Sequence, residues 1–164
     1  MSSVRFGMLK TLFILYMIGY SQANQACPAS AIMASSSCPP TWIQSGGNCY
    51  KTTKPLTWFQ AKEECAQMGG FMTAPHSKSD LQFLQTFEKY FWINCNDLQK
   101  EGEWECKDGT TVVNYLEWGK DQPSNNGGNE NCAEARPSTQ GWNDIPCNHL
   151  KPAVCKSAMP TLHL

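Results

Sequence analysis

Nine cysteines fall within one chain of 164 residues, at positions 27, 38, 49, 65, 95, 106, 132, 147 and 155, and every candidate fold must account for them. None forms the Cys-x-x-Cys pair that commonly builds a zinc site. Their redox state depends on the compartment, and the N-terminus indicates which one. Arg5 and Lys10 precede an apolar run from Thr11 to Tyr20, and small residues follow at Ser21 and Ala23. That order is the layout of a secretory leader, and the run is too short to span a bilayer. The sequence predicts a signal peptide over 1–23, cleaved after Ala23, and a secreted, extracellular mature chain whose cysteines pair as disulfides. Eight cysteines allow on the order of a hundred connectivities, so spacing does not select one. A ninth is left over.

Removing Arg5 and Lys10 leaves eleven basic against fourteen acidic side chains, a net charge of −3. A weakly acidic surface without a lysine or arginine cluster argues against nucleic acid or an anionic membrane as partner. Roughly 140 mature residues suffice for one domain with one core. No Gly-x-Ser-x-Gly elbow or His-Glu-x-x-His helix is present, and His76, His149 and His163 stand apart in sequence. The acidic pairs Glu63-Glu64 and Glu101 with Glu103 read as a helix face and a strand-turn surface. Catalysis is therefore not expected. No Asn-x-Ser/Thr acceptor occurs either.

Residues 24–37 are small, polar and aperiodic, and read as an N-terminal tail. From Cys38 onward the chain is patterned. Trp42-Ile43 and Cys49-Tyr50 read as short strands around a Ser45-Gly46-Gly47-Asn48 turn. Thr57 with Gln60 forms a capping box, after which Trp58, Ala61, Cys65 and Met68 recur at helical spacing until Gly69-Gly70. A second helix is predicted from Ser77 or Ser79, with Asp80 in its first turn and Phe83, Leu84, Phe87 and Tyr90 as a core-facing stripe. Beyond Phe91 the pattern changes to strand-like pieces at 92–94, 103–106, 132–135, 141–144 and 153–155. Helices followed by many short strands indicate an α+β domain. The stretch from Leu116 to Asn131 carries little helix or strand signal and is long for a connection, a property of functional or disordered loops.

That loop and the strand after it hold the most informative chemistry. Gln122-Pro123-Ser124, Glu130 two residues before Cys132, and Trp142-Asn143-Asp144 before Cys147 bring oxygen-bearing side chains from two short stretches. Calcium takes about six to eight oxygen ligands from carboxylates, amide carbonyls and water. X-Pro bonds alone adopt the cis form at tolerable cost, and a cis Gln122-Pro123 bond would let both flanking side chains face one ion. Asn125-Asn126-Gly127-Gly128-Asn129, taken alone, reads as a solvated turn.

The proline motif, the Glu before a cysteine and the Trp-Asn-Asp triplet, together with the cysteines, resemble the C-type lectin family from Cys38 to Lys156. The Trp92-Ile93-Asn94 segment resembles its Trp-Ile-Gly-Leu core strand, with Asn94 and Cys95 in the last two positions. The resemblance implies a C-type lectin-like domain over 38–156, with two helices packed on short antiparallel strands, a long calcium-binding loop and disulfide staples. Residues 157–164 would form a C-terminal tail. It implies the pairs Cys38–Cys49, Cys65–Cys155 and Cys132–Cys147. The inner pair Cys95 and Cys106 would staple a hairpin-like loop. Cys27 stays unpaired, which points to a disulfide-linked dimer.

The resemblance further implies that Gln122, Ser124, Glu130, Asn143 and Asp144 hold a calcium ion and contact the sugar. Glu-Pro-Asn goes with mannose-type sugars in this family and Gln-Pro-Asp with galactose-type sugars. Gln122-Pro123-Ser124 matches the galactose pattern at its first position and departs from it at Ser124, which removes a carboxylate. A second calcium would fall to Asp97, Glu101, Asn125 and Asn131, with Glu130 shared. The expected activity is calcium-dependent carbohydrate binding, galactose-type favoured, with glycans on cell surfaces or extracellular matrix as partners. The rival is a lectin-like domain that binds protein, ice or mineral.

Overall fold

A computed structural model describes residues 37–137 and 140–160. The expected leader over 1–23, the tail up to residue 36, Cys27 and His163 lie outside the described residues.

Strands β1 (Ile43–Ser45) and β2 (Asn48–Thr52) pair antiparallel across the Gly46-Gly47 turn, where both glycines have positive φ. Helix α1 (Trp58–Gln67) begins at the predicted box: the Gln60 N–H donates to Thr57 Oγ1, and the Thr57 N–H donates to Gln60 Oε1. Reciprocal capping satisfies two of the orphan donors at a helix start. Trp58, Ala61 and Cys65 are the face it buries. Strand β3 (Phe71–Met72) follows, and helix α2 (Lys78–Leu84) starts at Ser77, whose Oγ accepts from the Asp80 N–H at 3.1 Å.

Helix α2 departs from the predicted stripe. It ends at Leu84, so Phe87 and Tyr90 lie beyond it, and its buried residues are Leu81 and Leu84. A start at Ser77 turns Leu81 and Leu84, three residues apart, inward together. Phe83 and Phe87 still reach the core edge, with centroids 5.0 and 5.7 Å from the Tyr50 ring. Tyr90 is 44% exposed, so its assignment to the core is corrected.

The remaining strands are β4 (Phe91–Asn96), β5 (Glu105–Asp108), β6 (Thr111–Val112), β7 (Cys132–Ala135), β8 (Asn143–Ile145) and β9 (Val154–Ala158). They form two sheets, one ordered β1-β2-β9-β3 and one ordered β6-β5-β4-β7-β8. The short strands β3 and β6 carry no alternation long enough to read from sequence. Strand β4 is buried on both faces, and its residues alternate between two apolar clusters. Phe91, Ile93 and Cys95 join Leu81, Leu84, Ala133 and Trp142, whereas Trp92 joins Trp58, Ala61, Met72 and Ala153. Both buried indoles on that side find acceptors: Trp58 Nε1 donates to Ile93 O and Trp92 Nε1 to Leu56 O, each at 2.9 Å.

Four disulfides link Cys38–Cys49, Cys65–Cys155, Cys95–Cys106 and Cys132–Cys147. Cys65–Cys155 ties α1 to β9 across 90 residues. Cys95 and Cys106 sit directly opposite one another in the β4–β5 pair, which makes the predicted staple a strand-to-strand bond. Between β6 and β7 the chain leaves the sheet and returns by way of a long loop. No residue from 114 to 131 is buried.

Candidate functional site at the end of the long loop

The loop is fastened at its base before it carries any chemistry. Trp118 and Trp142 form a parallel bridge, in which the Gly119 N–H donates to Trp142 O at 2.8 Å and the Trp142 N–H donates to Glu117 O at 2.6 Å. Two glycines permit that approach. Gly141 has φ 71°, and a Cβ there would lie 2.5 Å from Gly119 N, while a Cβ on Gly119 would lie 2.3 Å from Gln140 O. The Trp118 ring packs edge-on to Trp104 at 4.5 Å and to Trp142 at 5.9 Å. Trp142 is fully buried, so the indole of the Trp-Asn-Asp triplet is a core residue. The Tyr115 hydroxyl donates to Glu117, and burial together with that carboxylate pushes its pKa up. Sequence reasoning missed this anchor. Its signal was the pair of glycines beside tryptophans, Trp118-Gly119 and Gly141-Trp142.

Beyond the anchor the loop turns sharply. Asp121 and Asn125 adopt left-handed backbone, at φ 61° and 42°, and the Gln122–Pro123 bond is cis. A single 3₁₀ turn covers Asn126–Gly128. Two carboxylates close this end. Asp144, 1% exposed on β8, accepts the Ser124 N–H at 2.8 Å on Oδ1 and the Asn125 N–H at 2.6 Å on Oδ2. Glu130 Oε2 accepts the Ser124 hydroxyl at 2.9 Å and the Asn126 N–H at 2.7 Å. In return the Glu130 N–H donates to Asn125 Oδ1 at 3.2 Å.

Hydrogen bonds thus bring Ser124, Asn125, Glu130 and Asp144 together. Gln122 and Asn143 are not part of that network. Gln122 Oε1 is buried and has no hydrogen-bond partner, although a buried acceptor left unpaired costs roughly 1–3 kcal/mol. Asn143, 6% exposed, spends its Nδ2 on Glu134 Oε1 at 3.1 Å instead. Glu134 was not singled out by sequence, and it is 4% exposed. Arg136 Nε lies 3.1 Å from its Oε1, and Lys151 Nζ lies 2.5 Å from its Oε2, close enough for an ion pair though off line for a hydrogen bond.

The positions expected for a second ion are only partly gathered. Asp97 is 3% exposed, accepts the Gly102 N–H on Oδ2 at 2.9 Å, and has a buried Oδ1 without a partner. Its backbone N–H donates to Asn131 O at 3.2 Å, which sets those two positions side by side. Glu101 is exposed, and the Asn125 side-chain oxygen is occupied by Glu130. Among the described residues no three His, Cys, Asp or Glu side chains converge as a metal cluster. Any hard cation would therefore rely on two carboxylates supplemented by amide and hydroxyl oxygens, a donor set that calcium accepts.

Comparison with known proteins identifies the architecture. The lectin C-type domain family matches residues 54–157. Hepatic lectin of Gallus gallus is 33% identical over 123 residues, covering 73% of this chain and 59% of that protein. CD209 antigen-like protein C of Mus musculus is 33% identical over 144 residues, covering 84% of this chain and 75% of that protein. The chain thus spans less than two thirds of hepatic lectin. The cow CD23 C-type carbohydrate-recognition domain, solved in the presence of a GlcNAc2Man3 oligosaccharide, superimposes with a TM-score of 0.67 at 29% identity, over 76% of this chain and 98% of that one. Herring type II antifreeze protein superimposes with a TM-score of 0.66 at 27% identity, over 75% and 100%. The match over most of the domain, the paired sheets and the four disulfides lead to one conclusion: the chain belongs to the C-type lectin domain family.

Proposed function

We propose that the chain is a secreted, calcium-dependent carbohydrate-binding lectin that favours galactose-type over mannose-type sugars. The observation that carries the reading is the junction of Glu130, in the loop, and Asp144, on β8, two carboxylates that both hold the loop end at residues 124–126. The residues that would hold the ion are Gln122, Ser124, Glu130, Asn143 and Asp144. When bound, calcium supplies coordination positions for two neighbouring sugar hydroxyls. Two carboxylates balance one dication, and extracellular modules work with calcium affinities on the order of 10⁻⁴ to 10⁻³ M.

The chain's own groups divide the rest of the task. Asp144 and Glu130 shape the loop end by holding the N–H groups of residues 124–126, and their oxygens accept hydrogen bonds from sugar hydroxyls. The amides offer both an acceptor and donors. Gln122 at the first position of the proline motif supports galactose-type sugars, and uncharged Ser124 leaves the site with two anionic ligands. Asp97, with its buried unpaired oxygen, is the strongest member of a second calcium site that would also use Glu101, Asn125, Asn131 and Glu130.

The reading includes a leader over 1–23, a domain over 38–156 between tails at 24–37 and 157–164, and pairing of two chains through Cys27. Contact with two hydroxyls of one sugar is worth about −4 kcal/mol, a millimolar constant. Pairing raises apparent affinity by about two to four decades where sugars on cell surfaces or matrix are dense. Among the described residues no helix is long and apolar enough to cross a membrane.

One observation favours a second reading, a lectin-like domain that binds protein, ice or mineral. Asp144 already spends both oxygens on backbone N–H groups, so the loop end is held by the chain itself, and the fold is shared with an antifreeze protein. Immobilised galactose and mannose separate the two. The first reading expects retention on galactose with calcium and release by chelator. Retention on neither resin promotes the second.

A further inference from the structure

We propose that Glu134 is a positioning residue for the lectin site, fixing which end of the Asn143 amide faces the loop. The inference rests on the proposed calcium-dependent reading, in which Asn143 is a ligand through its carbonyl oxygen. An amide has two unlike ends, one that only donates and one that only accepts, and nothing in Asn143 itself decides between them. The environment decides. Strands β7 and β8 pair antiparallel with Glu134 directly opposite Asn143, and cross-strand partners have side chains within contact reach. Glu134 is 4% exposed, and its two oxygens face Arg136 Nε at 3.1 Å and Lys151 Nζ at 2.5 Å.

Glu134 thereby presents only acceptor oxygens to Asn143. The donating end of the amide meets Glu134 Oε1 at 3.1 Å, and the acceptor end is left for another partner. The reverse orientation would set two oxygens against each other in a site closed to water. The neighbouring Asp144 needs no such device, because either carboxylate oxygen serves equally as an acceptor. Arg136 and Lys151 complete the arrangement by compensating a carboxylate that would otherwise be buried alone.

Outer partners of metal ligands typically contribute about 10- to 100-fold in metal affinity, which sets the size of the expected effect. Glu134→Gln keeps the shape but offers Asn143 an amide of either orientation. Calcium affinity of the full chain, by calorimetric titration, should fall roughly 10-fold or more. Asn143→Asp in the Glu134→Gln background should restore it, because a carboxylate presents an oxygen in both orientations. If Glu134 served only to hold Arg136 and Lys151, that second change would restore nothing. Unchanged affinity in Glu134→Gln, or absence of rescue, overturns the proposal.

A measurement without metal keeps this outcome separate from failure of the calcium reading. In chelator, the side-chain amide protons of Asn143 should exchange slowly in the parent and faster in Glu134→Gln. Fast exchange in the parent overturns the orienting contact whether or not calcium binds. Slow exchange in a parent that binds no calcium sinks the calcium reading, and with it the role assigned to Glu134, while leaving the contact intact.

Discussion

The two sheets and the long loop are held by different forces, and the difference sets which part of the chain depends on a core and which on polar contacts. In the body, β4 buries both faces between two apolar clusters, and four disulfides staple the strands, helix α1 and the segments that flank them. In the loop, no residue from 114 to 131 is buried, and order comes from a backbone bridge at the base and two carboxylates at the tip. Hydrophobic burial is indifferent to small changes in composition of the solvent, whereas hydrogen-bonded carboxylates respond directly to a cation. The loop is also the part with least cooperative support, which is where binding segments are drawn from.

The largest effect should come from the body. Replacing Cys65 and Cys155 by alanine frees a closure across 90 residues and should cost about 4–5 kcal/mol, read from the urea midpoint. Because the loop has no core of its own, its hydrogen-exchange protection should vanish in the same transition. A loss under about 1 kcal/mol would mean that the apolar clusters alone hold the sheets, and would break the contrast drawn between the two regions.

The next largest effect lies at the junction. Gly141→Ala places a Cβ 2.5 Å from Gly119 N at a residue with φ 71°. Left-handed backbone costs a side chain about 1–2 kcal/mol, and the backbone clash should bring the total to about 3 kcal/mol. Near-ultraviolet circular dichroism should change with it, since Trp118 and Trp142 pack against each other across this bridge. Full stability with an unaltered aromatic spectrum would show that the loop is not fastened there.

These two regions were also unequally legible in the sequence. Helix α1 was readable because its start is written in Thr57 and Gln60 and its buried face in Trp58, Ala61 and Cys65, all local signals. Helix α2 was readable at Ser77 but not at its end, since Phe87 and Tyr90 continue the apolar pattern after the helix gives way to turns at Gln85. Two-residue strands such as β3 and β6 exist only through their partners and leave no pattern. At the site, the carboxylates Glu130 and Asp144 and the cis bond before Pro123 could be anticipated from residue types. Glu134 could not, because its contact with Asn143 comes from a strand register that no local motif records.

A smaller and more selective effect is expected from Ser124→Asp. The Ser124 hydroxyl now donates to Glu130 Oε2 at 2.9 Å, so an aspartate there sets two carboxylates face to face. Without metal the loop end should lose about 1 kcal/mol. With calcium the added carboxylate becomes a third anionic ligand, and affinity should tighten about tenfold, worth about 1.4 kcal/mol. The body should not notice, so the urea midpoint in chelator should move little. Unchanged calcium affinity in a calorimetric titration would count against Ser124 as a member of the site.

The smallest effect belongs to pH and reports on the body alone. Burial pulls the Lys156 ammonium down, but the hydrogen bond from its Nζ to Asp108 Oδ2 at 2.6 Å and the charge of that carboxylate outweigh burial, leaving its pKa above the ordinary lysine value. Burial likewise pushes the neighbouring Tyr50 hydroxyl up, against the pull of Lys156. Both groups hold their protons more tightly folded than unfolded. Their contribution is therefore complete below about pH 10 and is lost as pH rises through the folded values. Since Lys156 is partly exposed, the loss should stay under about 1 kcal/mol. Asp108→Asn removes the partner that raises Lys156, so thermal melts between about pH 9 and 11 should show a shallower alkaline decline in that variant. An equal slope in both proteins would place the alkaline sensitivity outside the β2–β9 pair.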